Sequence, residues 1–137
     1  MSDAYTPYAL VADDDVIIRA HAADILEDAG FRVIEVKSVS DGIAALVQQG
    51  SSIQLLFTDV QMPPGELNGF HLARECSNGW PHIGILVASG VVEPTEEDLP
   101  RGAVFVRKPF SPDVVFEHIN KILPDGKKPE PLKTRSV

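Results

Sequence analysis

The feature that most constrains the fold of this chain is a regular alternation of short apolar runs with amphipathic segments. Tyr8–Ala12 is an apolar run that leads directly into aspartates, and Ile53–Phe57 is another that ends just before Thr58 and Asp59. Apolar runs of about four to eight residues that end in polar loops predict buried strands. Between such runs, apolar residues recur at the spacing of an amphipathic helix, as they do over residues 16–29.

The same reasoning places five strands and five helices along the chain. The predicted strands are Tyr8–Ala12, Arg32–Val36, Ile53–Phe57 (leading into Thr58 and Asp59), Ile83–Ala88 and Ala103–Arg107. The first predicted helix covers residues 16–29, with Gly30 as its C-terminal glycine. The second is capped by Ser40, bears Ile43, Leu46 and Val47 and ends at Gly50, and the third carries Leu72, Ala73 and Cys76 and ends at Asn78. A short fourth helix lies between Pro94 and Leu99, and a fifth is capped by Ser111 and runs to Leu123. Strands that alternate with helices predict a parallel sheet with helices on both faces. We therefore expect an α/β fold with a doubly wound sheet. Of the common strand orders for such sheets we take the flavodoxin-like one, 2-1-3-4-5.

The length of 137 residues is that of one domain. We expect a flexible N-terminus over residues 1–7, a folded domain over residues 8–123 and a disordered tail over residues 124–137, because the tail holds little apolar sequence. The formal net charge of -8 would repel nucleic acid and anionic membranes, so neither is an expected partner.

A single cysteine, Cys76, excludes an intramolecular disulfide and a multi-thiolate zinc site, and we interpret it as a small buried hydrophobic residue. No secretory leader and no apolar run of about 20 residues is recognised. These features predict a cytoplasmic protein.

Polar side chains that can carry chemistry follow the predicted strands. Asp13, Asp14 and Asp15 follow the first strand, and Asp59 follows the third, which would be its neighbour. Two carboxylates about 4 Å apart repel by roughly 4 kcal/mol at an effective dielectric of 20, so positive charge must compensate. Lys108, after the fifth strand, supplies one charge. A hard divalent cation, with magnesium the natural candidate, can supply the rest.

A screened carboxylate can act as a nucleophile toward phosphorus, which makes Asp59 a candidate phosphoacceptor. Magnesium and Lys108 would neutralise charge on the transferring oxygens. Ser89, after the fourth strand, can hydrogen-bond the phosphoryl group once it arrives. That new contact offers a conformational switch.

Four motifs carry a resemblance to a known family. LVADDD is similar to the acidic motif of bacterial response-regulator receiver domains, LLFTDVQMP to their phosphoacceptor motif, ILVASG to their Ser/Thr motif and VFVRKPF to their lysine-proline motif. The resemblance runs from about Ala9 to Leu123. The four motifs occur in the family's order, each at the end of a predicted strand, which makes the joint signal specific.

The resemblance implies a magnesium-dependent phosphorylation site. Asp59 would be the phosphoacceptor, Asp14 would bind Mg²⁺ directly, Asp13 would help to bind it, and the Gln61 backbone carbonyl would be a further ligand. The family uses these groups to accept a phosphoryl group from a histidine kinase or a phosphotransfer protein. It catalyses its own phosphorylation and dephosphorylation, so we do not expect a conventional enzyme.

The resemblance also implies a switch. Ser89 and Lys108 would contact the phosphoryl group, the Lys108–Pro109 peptide would be cis, and Phe105 would move inward with Ser89. From the residues alone, Phe105 is equally well explained as core packing. The signal would pass to a downstream protein that the sequence does not identify, from a monomer or a weak homodimer. The short connection between Ser89 and Lys108 is similar to that of stand-alone receivers and of receivers in hybrid kinases.

Two other functions compete with this interpretation. In a haloacid-dehalogenase-type phosphatase the aspartates after the first strand would form its acidic pair, with Asp13 as the nucleophile. Against it, the chain is short, Ile17 stands where that family favours threonine or valine, and no second acidic pair follows Lys108. The other is a pseudo-receiver, an interaction module that is never phosphorylated, although every side chain that phosphorylation requires is present.

Overall fold

The computed structural model describes residues 6–62, 68–90, 94–95, 98–124 and 128–129. These residues form a parallel five-stranded sheet in the order β2-β1-β3-β4-β5, which confirms the predicted topology. The strands are β1 Tyr8–Ala12, β2 Arg32–Val36, β3 Ile53–Asp59, β4 Gly84–Ser89 and β5 Val104–Arg107. The helices are α1 Val16–Asp28, α2 Val39–Gln49, α3 Gly69–Gly79 and α4 Pro112–Ile122, with a 3-10 turn at Gly50–Ser52.

Helices cover both faces of the sheet, as predicted. Successive residues of a strand point to opposite faces, so Val11 of β1 packs with α1 and α4 while Leu10 packs with α2 and α3. Strand β3 lies at the centre and is buried over its whole length. A strand covered on both sides has to be almost continuously apolar, which is the pattern of its sequence.

Local capping explains where the helices begin. The Asp15 carboxylate accepts hydrogen bonds from the amides of Ile17 and Ile18 and so caps α1. Ser111 caps α4, as predicted, and Pro112 stands at the first position of the helix. Gly30, just after α1, has a positive φ of 108°, a conformation that glycine adopts readily.

The predicted cap of α2 is wrong. Ser38 rather than Ser40 caps this helix, because its hydroxyl accepts a hydrogen bond of 3.1 Å from the Asp41 amide. Either serine fits the local pattern. The helix starts earlier because Val39 is buried against the second face of the sheet. Val47, at the other end of the same helix, is 70% exposed and contributes nothing to the core.

The segment between β4 and β5 differs from the predicted short fourth helix. Of that helix, the structure describes Pro94, Thr95, Asp98 and Leu99, and none of them is helical. The Asp98 carboxylate instead accepts hydrogen bonds from the amide and the hydroxyl of Thr95. The other residues of the predicted helix lie outside the described ones, and the fifth predicted helix is α4.

Both predicted flexible ends fall mostly outside the described residues. At the N-terminus, the Pro7 carbonyl accepts a hydrogen bond of 2.9 Å from the Arg32 amide. In the C-terminal segment, Lys128 and Pro129 are buried. Within the described part of the chain, no helix is long and apolar enough to cross a bilayer.

Candidate functional site

The carboxyl ends of four neighbouring strands form one cleft. In the sheet, Ala12 pairs with Thr58, Asp59 pairs with Ala88, and Ser89 pairs with Arg107, so the residues that end these strands or follow them become neighbours. The cleft has a volume of about 410 Å³. Its lining residues are Asp13, Asp14, Asp15, Ile18, Asp59, Gln61, Ser89, Gly90 and Lys108. Ligands of open α/β sheets bind at this edge.

Lys108 joins the ends of three strands. Its ammonium group donates hydrogen bonds to Asp13 Oδ2 at 3.0 Å and to Asp59 Oδ1 at 2.9 Å. Its backbone amide donates to the Ser89 carbonyl at 3.0 Å, which holds the start of the loop after β5 against the end of β4. The Lys108–Pro109 peptide is cis, as expected. One cation therefore bridges two carboxylates from different strands.

Three carboxylates gather beside this lysine. Asp13, Asp14 and Asp59 each offer an oxygen, and these oxygens all lie within 4.8 Å of one another. Asp13 is 3% exposed and Asp59 is 7% exposed, while Asp14 is exposed to solvent. Carboxylate oxygens are the hard donors that Mg²⁺ prefers. With the Lys108 ammonium counted, the group carries an excess of negative charge that a divalent cation fits.

The pKa values of Asp59 and Lys108 reflect their burial and the charges close to them. Burial, together with the charge of Asp13, raises the pKa of Asp59 in spite of the opposing effects of Lys108 and the Val60 amide. Burial by itself would lower the pKa of Lys108, but its hydrogen bonds to Asp59 and Asp13 outweigh burial and raise it. The lysine is therefore charged at neutral pH, and the ionised Asp59 carboxylate favours additional positive charge.

The remaining predicted site residues divide into two groups. Ser89 is 2% exposed at the end of β4, and Gln61 is exposed after β3, and both line the cleft. Phe105 lies on β5, where it pairs with Val87 and is half-buried. It is not among the described residues that line the cleft. The structure thus brings every predicted polar side chain to the cleft, while Phe105 lies outside its lining.

Sequence reasoning missed two residues that shape this site. Arg19 on α1 donates a hydrogen bond from Nη1 to the Asp13 carbonyl oxygen at 2.9 Å. Gly69 begins α3, and its amide donates to the Val60 carbonyl at 2.8 Å. A Cβ atom at Gly69 would overlap the Asp59 carbonyl oxygen, so only glycine fits there. The one signal in the sequence was the turn-rich loop before Gly69, which marks a turn but not what it contacts.

With this geometry in place, the comparisons with known proteins identify the family. The profile of the response regulator receiver domain matches residues 9–120. The chain belongs to the response regulator receiver family. It is 32% identical to the response regulator receiver protein CpdR of Brucella abortus, over 83% of this chain and 94% of that protein. It is 31% identical to the putative two-component response regulator ARR21 of Arabidopsis thaliana, over 75% of this chain but only 17% of that protein.

Solved structures of receivers agree with the fold of this receiver. The receiver domain protein of Clostridium thermocellum is 26% identical with a TM-score of 0.75, and the match covers 85% of this chain and 94% of that one. The receiver of the hybrid histidine kinase CckA is 25% identical with a TM-score of 0.66, covering 85% of this chain and 99% of that one. These relatives indicate a role in two-component phosphorelay signalling. None of them favours the phosphatase or the pseudo-receiver.

Proposed function

We propose that this receiver accepts a phosphoryl group on Asp59 in a magnesium-dependent reaction. The donor is a histidine kinase or a histidine phosphotransfer protein. The observation that carries the proposal is the pair of hydrogen bonds from the Lys108 ammonium to Asp59 and Asp13 beside the exposed Asp14 carboxylate. This arrangement places a nucleophile, a fixed positive charge and a set of cation ligands in one cleft.

The residues for the metal are those that the cleft gathers. Asp13, Asp14 and Asp59 would hold Mg²⁺ through carboxylate oxygens, and Gln61 would add its backbone carbonyl. Bound Mg²⁺ supplies positive charge that neutralises the phosphoryl oxygens. The excess negative charge of the described cluster supports this choice of ion over a monovalent one.

The chemistry at Asp59 is a simple displacement at phosphorus. A carboxylate oxygen of Asp59 forms a bond to the phosphorus atom while the bond between phosphorus and the donor's histidine nitrogen breaks, and the electron pair leaves with that nitrogen. Lys108, which already lies 2.9 Å from Asp59 Oδ1, donates hydrogen bonds to the arriving phosphoryl oxygens. Water later hydrolyses the aspartyl phosphate. The receiver acts only on its own side chain and is not a conventional enzyme.

The phosphoryl group then changes which conformation is favoured. The buried Ser89 hydroxyl donates a hydrogen bond to a phosphoryl oxygen, and the half-buried Phe105 moves inward behind it. A downstream protein that binds this conformation better shifts the population toward it. The receiver works as a monomer or a weak homodimer.

Phosphorylation by acetyl phosphate tests the proposal. The protein is incubated with acetyl phosphate and Mg²⁺, the aspartyl phosphate is trapped by borohydride reduction, and the modified residue is located by mass spectrometry. We expect modification at Asp59 that requires Mg²⁺. The Asp59→Asn variant should show none, while Asp24→Asn, a change at an exposed position of α1 outside the cleft, should behave as the wild type.

Two results would overturn the proposal. Modification at Asp13, with turnover of small phosphate esters, would make the protein a phosphatase. No modification from acetyl phosphate or from a panel of phosphorylated histidine phosphotransfer proteins would leave an interaction module.

A further inference from the structure

We propose that Arg19 is a positioning residue that sets the Mg²⁺ affinity of the cleft by fixing the peptide between Asp13 and Asp14. The inference rests on the proposed function of these carboxylates as magnesium ligands. It concerns a residue outside the cleft, since Arg19 is not among its lining residues.

The Arg19 side chain bridges the acidic loop and the outer strand of the sheet. Its Nη1 donates to the Asp13 carbonyl oxygen at 2.9 Å, and its Nε donates to Glu35 Oε1 on β2 at 3.2 Å. The side chain is only 18% exposed, so its geometry is constrained by packing as well as by these bonds. The guanidinium group is thus fixed at two points, one on the loop and one on the sheet.

This bridge completes the anchoring of Asp13. The Asp13 amide donates to the Val36 carbonyl at 3.1 Å, Oδ1 accepts from the Asp15 amide at 2.9 Å, and Oδ2 accepts from Lys108 at 3.0 Å. The carbonyl oxygen is the remaining polar atom, and Arg19 binds it. Every polar atom of Asp13 therefore has a partner from this chain.

Asp14 depends on that anchoring. Its carboxylate is exposed, and no hydrogen bond from the described residues holds it, yet it lies within 4.8 Å of the oxygens of Asp13 and Asp59. The Asp13 carbonyl and the Asp14 amide belong to one planar peptide unit. A bond that fixes the carbonyl therefore fixes the position of the Asp14 Cα atom, from which the side chain leaves the backbone. Arg19 keeps Asp14 in the cluster without touching it.

Arginine suits this position better than lysine. Its planar guanidinium presents several N–H donors in a rigid fork, so one side chain can bind a carbonyl and a carboxylate at the same time. A lysine ammonium at position 19 could reach one of these partners but would not fix the angle between them. We therefore expect Arg19→Lys to recover only part of the wild-type affinity.

The sign of the effect separates positioning from simple electrostatics. Removal of a positive charge close to a cation site strengthens Mg²⁺ binding if charge alone acts. Removal of an outer-shell contact that orients a ligand typically weakens metal binding by about 10-fold to 100-fold. For Arg19→Gln, the positioning role predicts a Mg²⁺ dissociation constant about 10-fold higher than that of the wild type.

The experiment measures Mg²⁺ binding to the full chain by calorimetry, and phosphorylation by acetyl phosphate as a function of Mg²⁺ concentration. Arg19→Gln should require about 10-fold more Mg²⁺ for half-maximal rate, while its rate at saturating Mg²⁺ stays within about threefold of the wild type. Arg74→Gln, which removes the same charge from an exposed position on α3, is the matched control and should leave the dissociation constant unchanged.

Glu35→Gln provides a second variant that keeps Arg19 and loses only its ionic partner on β2. It should weaken Mg²⁺ binding by about twofold to threefold. Arg19→Lys, which keeps the charge, tests the proposal even if Arg19→Gln does not fold, because charge alone predicts unchanged Mg²⁺ binding and the positioning role predicts weaker binding. Tighter or unchanged Mg²⁺ binding in a folded Arg19→Gln protein would overturn the inference. So would a loss of rate that saturating Mg²⁺ does not restore. A wild-type protein that binds no Mg²⁺ would instead overturn the proposed function itself.

Discussion

The Asp59→Asn variant should be more stable than the wild type without Mg²⁺ and less stable than the wild type when Mg²⁺ is added. The change removes one negative charge and keeps the shape of the side chain. Because burial is the largest cause of the raised pKa of Asp59, the ionised carboxylate is disfavoured in the folded protein. We expect Asp59→Asn to be the more stable protein at neutral pH in the absence of divalent cations.

The distances in the cleft give the size of this effect. At an effective dielectric of 20, the loss of the ion pair between Lys108 Nζ and Asp59 Oδ1, 2.9 Å apart, removes about 6 kcal/mol of attraction. Relief of repulsion from the oxygens of Asp13 and Asp14, each within 4.8 Å, recovers about 7 kcal/mol. The difference, together with the desolvation of a buried charge, favours asparagine by on the order of 1 kcal/mol.

Urea unfolding at neutral pH measures the free energy of unfolding of each protein with and without Mg²⁺. In EDTA, the free energy of unfolding of Asp59→Asn should exceed that of the wild type by on the order of 1 kcal/mol. At a Mg²⁺ concentration 100 times its dissociation constant, the wild type should gain about 2.7 kcal/mol, and the variant, which has lost a ligand, should gain less. The exposed Asp24→Asn control should change by less than about 0.5 kcal/mol in either buffer.

The reasoning is refuted if Asp59→Asn is the less stable protein in EDTA. In that case the ion pair with Lys108 would dominate, and the crowding of carboxylates would not be what draws a cation into the cleft. Equal gains from Mg²⁺ in both proteins would also contradict it, because Asp59 would then not be a ligand.

Three further predictions concern the surroundings of the cleft. Lys108→Met leaves two buried carboxylates without their cation and should lower the free energy of unfolding by about 3 kcal/mol in EDTA. Mg²⁺ should restore part of this loss, because it compensates the same negative charge as Lys108. A loss of the same size in both buffers would contradict this. Gly69→Ala should lower the free energy of unfolding by about 1–3 kcal/mol and slow phosphorylation, because the added methyl group displaces the Asp59 carbonyl. Gly79→Ala, where nothing lies within 4 Å of the added methyl group, should be tolerated. Equal effects of the two substitutions would be inconsistent with the close approach of Gly69 to the Asp59 carbonyl. Burial raises the pKa of the Cys76 thiol from 9.0 to about 12, so ionisation of this thiol favours unfolding progressively as the pH rises between those values. At mildly alkaline pH an alkylating reagent should modify Cys76 at the rate of a free thiol only in urea, and rapid modification in native buffer would count against its burial.

The sequence by itself determined the architecture. The bounds of β1 and β2 are those that the apolar runs predict, and the alternation of strands with helices predicts the parallel sheet. The strand order 2-1-3-4-5 is that of flavodoxin-like sheets, one of the common orders that this alternation allows. The polar members of the cleft could be predicted for the same reason. In a parallel sheet the carboxyl ends of the strands share one edge, so a residue's place at the end of a strand already implies that it lies at the edge where ligands bind.

Only the tertiary structure decided the local choices between equivalent signals. Ser38 and Ser40 are both acceptable caps, and the burial of Val39 selects the first of them. Between β4 and β5 the described residues Thr95 and Asp98 are joined by hydrogen bonds and are not helical, although the composition there allowed a short helix. Local preferences are weak, and packing decides between alternatives that differ by little.

Contacts between distant parts of the chain also came only from the fold. Lys108 binds Asp13 across 95 sequence positions and Asp59 across 49. Arg19 binds the carbonyl of Asp13 rather than its carboxylate, and Gly69 lies against the backbone of Asp59. Periodicity reports which face of an element is buried and where the element ends. It carries no information on which backbone atom a side chain meets, because that depends on how the helices and loops pack on the sheet.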